Sequence, residues 1–201
     1  HDAVRFDNGS ESFISDCKIH DISGNGIYIF RSASISVDNS EFWGIKQAAL
    51  AACGSGAGLT ATKVSIHDTF SHGVLTEQQA QSTIIDSDIQ SCGDDCVAVN
   101  FTSNSNGTIS GCKIHSNSGH GVGASKSSVV EIVDSEFWGI KQIALAAGGA
   151  GTVLTATKVS IHDTFSHGVK VQNNAQCVIR DSEIQSCSHD CAFLYFGSSS
   201  K

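Results

Sequence analysis

The sequence predicts an all-β solenoid, and three observations predict it. Sixteen consecutive residues, Leu59 to Val74, recur unchanged as Leu154 to Val169, and Glu41 to Gln47 recurs as Glu136 to Gln142, both at an offset of 95. A shorter period runs inside each copy, in the apolar residue that closes each Asp-Ser-x-Ile-like motif. Ile19, Phe42, Ile66, Ile89, Ile114, Phe137, Ile161 and Ile184 are spaced by 23 to 25 residues. The apolar residues around them alternate with period 2, where a helix would show 3.6. Composition agrees, since 20 Gly with no Pro and no Met in 201 residues is the skew left by copying one short unit.

The segment Thr83 to Asn106 serves as the template coil. Ile84 and Ile89 turn to one side, while Thr83, Ile85, Asp86 and Asp88 take intervening or turn positions. After a bend, Val97 and Val99 are again two apart. Each coil thus carries two or three short strands separated by Gly, Ser, Asn and Asp. One coil cannot bury its own apolar face, but eight stacked at the strand spacing of ~4.8 Å close a core about 38 Å long. The expected organisation is a single domain over residues 1–201, about eight coils of 23–25 residues, in two near-identical four-coil halves at roughly 12–106 and 107–201.

The segments GNGIYIFRSASISVDNSEF and SHGVKVQNNAQCVIRDSEI resemble the parallel β-helix repeat proteins, and the resemblance covers nearly the whole chain. Left-handed members of that class run on six-residue sides and 18-residue coils. A coil of 23–25 residues therefore points to a right-handed single-stranded parallel β-helix, in keeping with the handedness of parallel crossovers. The opening Ala3-Val4-Arg5-Phe6 resembles Ala98-Val99-Asn100-Phe101, so both termini fall at a similar phase of the coil. No capping segment is evident, and uncapped solenoid ends expose strand edges. The expectation is head-to-tail self-association into a filament, because a heterologous contact does not close. A fragment of a longer protein is the alternative.

The formal charge of -8, with no basic patch, argues against a nucleic-acid partner. No apolar run approaches ~18 residues, so no membrane insertion is expected. Eight cysteines suggest an oxidising compartment. Cys92 and Cys96 flank a three-residue turn, as do Cys187 and Cys191, and local disulfides are geometrically plausible there. Asn8, Asn100 and Asn106 head Asn-x-Ser/Thr sequons compatible with a secreted, extracellular chain.

Aligning the coils sets Asn25, Ala48, His72, Asp95, His120, Ile143, His167 and Asp190 in one column, and adjacent titratable groups ~5 Å apart would shift one another's pKa. His72, Asp94, Asp95 and His120 form the candidate site, with carboxylates and imidazoles suited to acid-base attack on a glycosidic bond. Gly93 to Asn100 (GDDCVAVN) and Gly119-His120-Gly121 resemble the Asp-Asp and Gly-His-Gly motifs of polygalacturonases. The resemblance implies catalytic Asp94 and Asp95 supported by His120, and a Cys96–Cys112 bridge. It covers under 30 residues, and Ser71-His72-Gly73 stands where that family has Asn-Thr-Asp. No Arg-x-Lys pair follows.

His67/His72, His115/His120 and His162/His167 each bridge one turn, which raises a metal site only if a third ligand such as Asp95 converges; no metal and no cofactor is assigned. Trp43 and Trp138, with Lys46 and Lys141 close behind, are candidate ligand residues, as sugar-stacking platforms or lateral assembly contacts, with packing against a neighbouring turn as the alternative. Thr60-Ala61-Thr62 and Thr155-Ala156-Thr157, with Thr83, Thr108 and Ser110, resemble an ice-binding Thr array, broken by Asp38, Glu131, Val133 and Arg180. The leading expectation is a secreted structural or interaction solenoid that joins itself head to tail and contacts glycans. The alternatives are a glycoside hydrolase acting on acidic polysaccharide and an ice-binding protein.

Overall fold

The computed structural model describes residues 1–188 and the backbone of 194–196, and among these the fold is built from twenty-five short strands. The described residues contain no helix. The first coil supplies Val4–Asp7 to sheet A, Glu11–Ser15 to sheet B and Lys18–His20 to sheet C, and each later coil repeats this order. Sheet A has nine strands and sheets B and C eight each, with every strand beside its equivalent on the next coil. All pairings between strands are parallel, giving the expected solenoid of about eight turns.

The apolar column read from the sequence is the spine of sheet C. Ile19, Phe42, Ile66, Ile89, Ile114, Phe137, Ile161 and Ile184 stand in register, and those from Phe42 to Ile161 are wholly buried. Sheet A contributes a second inward column through Ile27, Leu50, Val74, Val99, Val122, Leu145 and Val169. Full burial of each such side chain is worth about 1.5–3 kcal/mol, so stability is spread evenly along the axis.

The Asp-Ser motif builds the corner between sheets B and C. Asp16, Asn39, Lys63, Asp86, Gly111, Asp134, Lys158 and Asp181 all adopt positive φ there. Asp, Asn and Gly dominate because they enter the left-handed region at the lowest steric cost. In alternate coils a serine follows. Ser40, Ser87, Ser135 and Ser182 accept the N–H of Cys17, Val64, Cys112 and Val159 on the preceding coil, each at 3.1 Å. The same hydroxyls donate to the carbonyls of Asp38, Ile85, Val133 and Arg180. A buried backbone donor is thereby satisfied at a bend where no ladder bond can reach it.

One expected alignment is corrected. Ile66 pairs with Ile89, but Val74 pairs with Val99, so two extra residues fall in the turn between Ile89 and Val99. They go into the turn at Gly93 to Asp95, closed by a Cys96 N–H to Gly93 carbonyl bond of 3.1 Å. The column therefore runs through Val97, not Asp95, and continues through His120. Asp190 lies outside the described residues.

The cysteine framework is also corrected, since all seven described cysteines are free thiols. Cys92 is drawn into the core, whereas Cys96 directs its Sγ toward Ser71 Oγ, 3.9 Å away on the preceding coil. Cys112 is buried against the carbonyls of Ser110 and Ile84, which leaves no Cys96–Cys112 bridge either. Burial pushes the Cys92 and Cys112 thiols up to about 11. Cys191, the expected partner of Cys187, lies outside the described residues. Asn8 and Asn106 are exposed, but Asn100 is half-buried within a strand.

Coil packing predicts an asymmetry between two glycines. A Cβ on Gly119 would lie 1.8 Å from the Cys96 carbonyl oxygen, whereas one on Gly148 would meet nothing closer than Gln172 Cγ at 3.7 Å. Urea denaturation of Gly119→Ala is expected to show a loss at the upper end of, or beyond, the ~1–3 kcal/mol typical of overpacking. Gly148→Ala is expected to stay within about 0.5 kcal/mol of the parent.

Candidate ligand groove on sheet A

The outward face of sheet A carries a register column of Tyr28, Ala51, Leu75, Asn100, Gly123, Ala146 and Lys170. The two halves of the chain, so alike elsewhere, differ here. Tyr28, Phe30, Cys53, Leu75 and Glu77 of the first half correspond at the offset of 95 to Gly123, Ser125, Gly148, Lys170 and Gln172 of the second. In the first half the rings of Tyr28 and Phe30 stack at 6.0 Å, with Arg5 over Tyr28 and Arg31 over Phe30. Burial and the neighbouring Cys53 push the Tyr28 hydroxyl up to about 12. In the second half the small residues leave an open groove of about 560 Å³ between Asn100 and Val97 at one end and Lys170 and Gln172 at the other. That volume lies within the range of small-ligand sites.

His120 sits in the groove wall at the corner where sheet A begins. Its Nδ1 accepts the N–H of Ile143 at 3.2 Å, which places the ring proton on Nε2. The first half makes the same bond with another residue type, as Asn25 Oδ1 accepts the Ala48 N–H at 3.1 Å. Asp2 Oδ1 in turn accepts the Asn25 N–H at 2.8 Å. His72 occupies the equivalent position one coil before Val97 and meets that residue's carbonyl at 2.8 Å through Nδ1. These corner side chains extend the sheet A ladder past the last strand residue. Burial, and after it Lys170, holds the His120 pKa below the ordinary imidazole value, against a weaker pull from Asp95. His120 is thus a neutral donor in the groove wall.

The residues singled out by sequence separate. Asp95, at φ 56, accepts a hydrogen bond from Gln142 Nε2 at 2.5 Å two coils on, so its turn leans over His120 toward the groove rim. Asp94 is exposed on the same turn and His72 lies one coil too early. Lys141 lines the groove, with its Nζ 3.3 Å from Ser118 Oγ, while Lys46 is exposed on the other half. No Asp or Glu lines the groove among the described residues.

His67 and His162 point away from the groove altogether. They lie on sheet C, in a column with Trp43 and Trp138, so the bridging pairs with His72 and His167 do not converge. No group of three metal-ligating side chains occurs among the described residues. Trp43 is sandwiched between His20 at 4.3 Å and His67 at 5.8 Å, and Trp138 between His115 at 4.1 Å and His162 at 6.0 Å. The interplanar angles of 7° or less mean that imidazoles cover the indole faces where a sugar was expected to stack. The signal was present, for each of these residues directly follows a member of the Ile19 column. On sheet B, Thr60, Thr83 and Thr108 do stand in register on the outer face, but Glu131 ends the run.

The sign of the His120 effect follows from its lowered pKa. The native state takes up its proton later than the unfolded chain, so stability is lost as pH falls below the ordinary value of about 6.5. His120→Asn, which copies Asn25, is expected to keep the Ile143 bond, hold stability at pH 8, and flatten the decline toward pH 5. His120→Ala leaves that N–H without its acceptor and should cost about 1–3 kcal/mol at pH 8 by chemical denaturation, and less toward pH 5, where protonation weakens the parent.

None of the curated proteins compared with the chain matches it, and none of the solved structures does. Residues 2–159 match the family described as the right-handed β-helix region. With three stacked parallel sheets and a match over most of its length, the chain belongs to the right-handed β-helix family.

Proposed function

We propose that this protein is an extracellular structural and interaction solenoid that holds a glycan, preferentially an acidic one, in the sheet A groove of its second half. The observation that carries this reading is the divergence between the halves. Sheet C keeps its stacks in both copies, whereas the outer face of sheet A has exchanged Tyr28 and Phe30 for Gly123 and Ser125. Such a change opens space that stability does not require. The groove runs across four rungs, about 14 Å at the strand spacing, long enough for a short run of sugar rings. Its lining combines apolar Val97 and Ile143 with hydrogen-bonding Asn100, Gln142 and His120, the mixture that orients a small ligand. Lys141 and Lys170 are its cations in a chain of formal charge -8, and they favour a carboxylated sugar.

Binding is favoured over cleavage because glycoside hydrolysis uses a pair of carboxyl groups flanking the bond, and the lining supplies none. Chain-on-chain stacking belongs to the same proposal. The joint between the halves, with Ile89 on Ile114 and Val99 on Val122, is the kind of head-to-tail contact that a second copy would have to reproduce.

Calorimetric titration with oligogalacturonate and with a neutral cello-oligosaccharide tests the groove. The acidic oligomer is expected to bind more tightly, and Gly123→Tyr, which restores the first-half residue, to weaken it at least 10-fold while leaving the thermal midpoint close to the parent. Binding unchanged by Gly123→Tyr removes the groove from the proposal, and release of new reducing ends that is lost in Asp95→Asn replaces binding with catalysis. Sedimentation over a wide concentration range is expected to show species larger than one chain. A monomer throughout removes the stacking part.

A further inference from the structure

Sheet C carries a side-chain column that neither the groove nor the core uses. From coil to coil it reads His20, Trp43, His67, Gln90, His115, Trp138, His162 and Gln185, and six of these eight form the two His–Trp–His stacks. The bonding of two of the imidazoles is unusual. His67 meets Asp68 Oδ2 through Nδ1 at 2.8 Å and Glu41 Oε1 through Nε2 at 3.3 Å. His162 repeats this with Asp163 Oδ2 at 2.9 Å and Glu136 Oε1 at 3.2 Å. An ionised carboxylate only accepts, and a neutral imidazole has one N–H, so both contacts are hydrogen bonds only when the ring is an imidazolium. A cation stacked on the face of a Trp gains further from the ring quadrupole.

We propose that His67 and His162 are proton-locked latches, each an imidazolium whose two N–H groups tie its own turn to a carboxylate on the preceding coil across a tryptophan face. Loss of the Nε2 proton takes the imidazole donor away from Glu41 and from Glu136 and opens one inter-coil bond in each half. Sheet C is then a seam that is tightest when protonated and loosens as pH rises, once in each half.

The charged groups facing each latch fit this. Around His67 stand Asp68 from its own turn and Glu41 from the preceding coil, and Lys18, one coil earlier, shares Glu41 at 3.1 Å. Around His162 stand Asp163 and Glu136, with Lys113 in register beside Glu136. On the following rung uncharged Gln90 and Gln185 continue the column, while Asp88 and Glu183 stand two residues earlier on the same face, in register with Ser65 and Ser160. The outer partners differ. His115 meets Asp88 at 3.0 Å but Ser116 Oγ at 3.1 Å, a hydroxyl able to donate, and His20 meets Asp21 alone, at 2.9 Å. Neither ring stands between two carboxylates.

Electrostatics acts in the same direction. Burial works against the charge on His67, but the bonds to Asp68 and Glu41 outweigh it and raise its pKa. The bond to Asp163 leads in raising that of His162. A raised native pKa means that the stabilisation is complete below the ordinary value of about 6.5 and is lost as pH rises through the native value.

Both tryptophans lie in these stacks, so emission of the full-length chain reports them directly, since an imidazolium against an indole quenches more strongly than the neutral ring. Titration from pH 5 to 10 is expected to show emission rising with a midpoint above about 6.5. That transition should vanish in His67→Gln/His162→Gln and move to lower pH in Asp68→Asn/Asp163→Asn, with urea stability falling across the same range in the parent. Nitrogen-15 NMR of the imidazoles near neutral pH is expected to show two protonated nitrogens on each latch. A bare nitrogen on either ring at pH 6, or an upper transition that survives His67→Gln/His162→Gln, overturns the proposal.

Discussion

Every feature of this molecule depends on parallel strands keeping one register from coil to coil. A single inward column such as Ile19 to Ile184 holds only if each coil returns to the same phase. Return to phase depends in turn on corners at which the backbone takes positive φ. Length differences between coils are absorbed at corners. Gly54 and Gly56, and their counterparts Gly149 and Gly151, accommodate a longer corner between sheets A and B. The turn at Gly93 to Asp95 accommodates two extra residues between sheets C and A. Strand registers on either side are undisturbed, because a one-residue slip would turn every inward side chain outward.

The fold was legible in the sequence for that reason. Burial leaves a period-2 pattern within a strand and a fixed period between coils, and the Ile19 column carried both. The Asp-Ser motif was legible as a marker, although its purpose, a serine hydroxyl completing the ladder at a bend, needed coordinates. The candidate site was less legible. Counting residues from the preceding coil set Asp95 in line with His72, and only the pairing of Val74 with Val99 reveals Val97 in that place. Spacing around a three-residue turn likewise suggested a disulfide at Cys92 and Cys96, whereas the corner sends one thiol into the core and the other toward Ser71. The tryptophans were recognised as paired across the halves, but pairing each with histidines 23 or 24 residues away required reading one position beyond the apolar column.

Two histidine environments of opposite sign follow from where each ring sits relative to the sheet ends. At the start of sheet A, His120 replaces a strand carbonyl as an acceptor of a backbone N–H, a task possible only for a neutral nitrogen. At the end of sheet C, His67 and His162 stand between carboxylates and serve as donors on both sides. Lowering pH strains the first and satisfies the second. The two effects lie at different corners and on different coils, so acid loosens the wall of the groove while it tightens the sheet C seam.

The contrast between the halves separates what the solenoid needs from what it is free to vary. Inward columns and corners are constrained in both copies, since a changed volume or a lost positive-φ residue is felt by the coils above and below. Sheet C shows that outward positions can be held as firmly, because its stacked rings and shared carboxylates bond successive coils to each other. Outward positions on sheet A are bonded differently in the two halves, with Arg5 over Tyr28 and Tyr28 beside Cys53 in the first and Ser125 donating to Thr102 in the second. In the first half they are filled by Tyr28, Phe30 and flanking arginines, and in the second they are reduced to Gly123, Ser125 and Gly148 without any change in strand pairing. Because the strand register is the same with and without the two rings, it is the inward columns and the corners, and not these outer side chains, that set the phase of the stack.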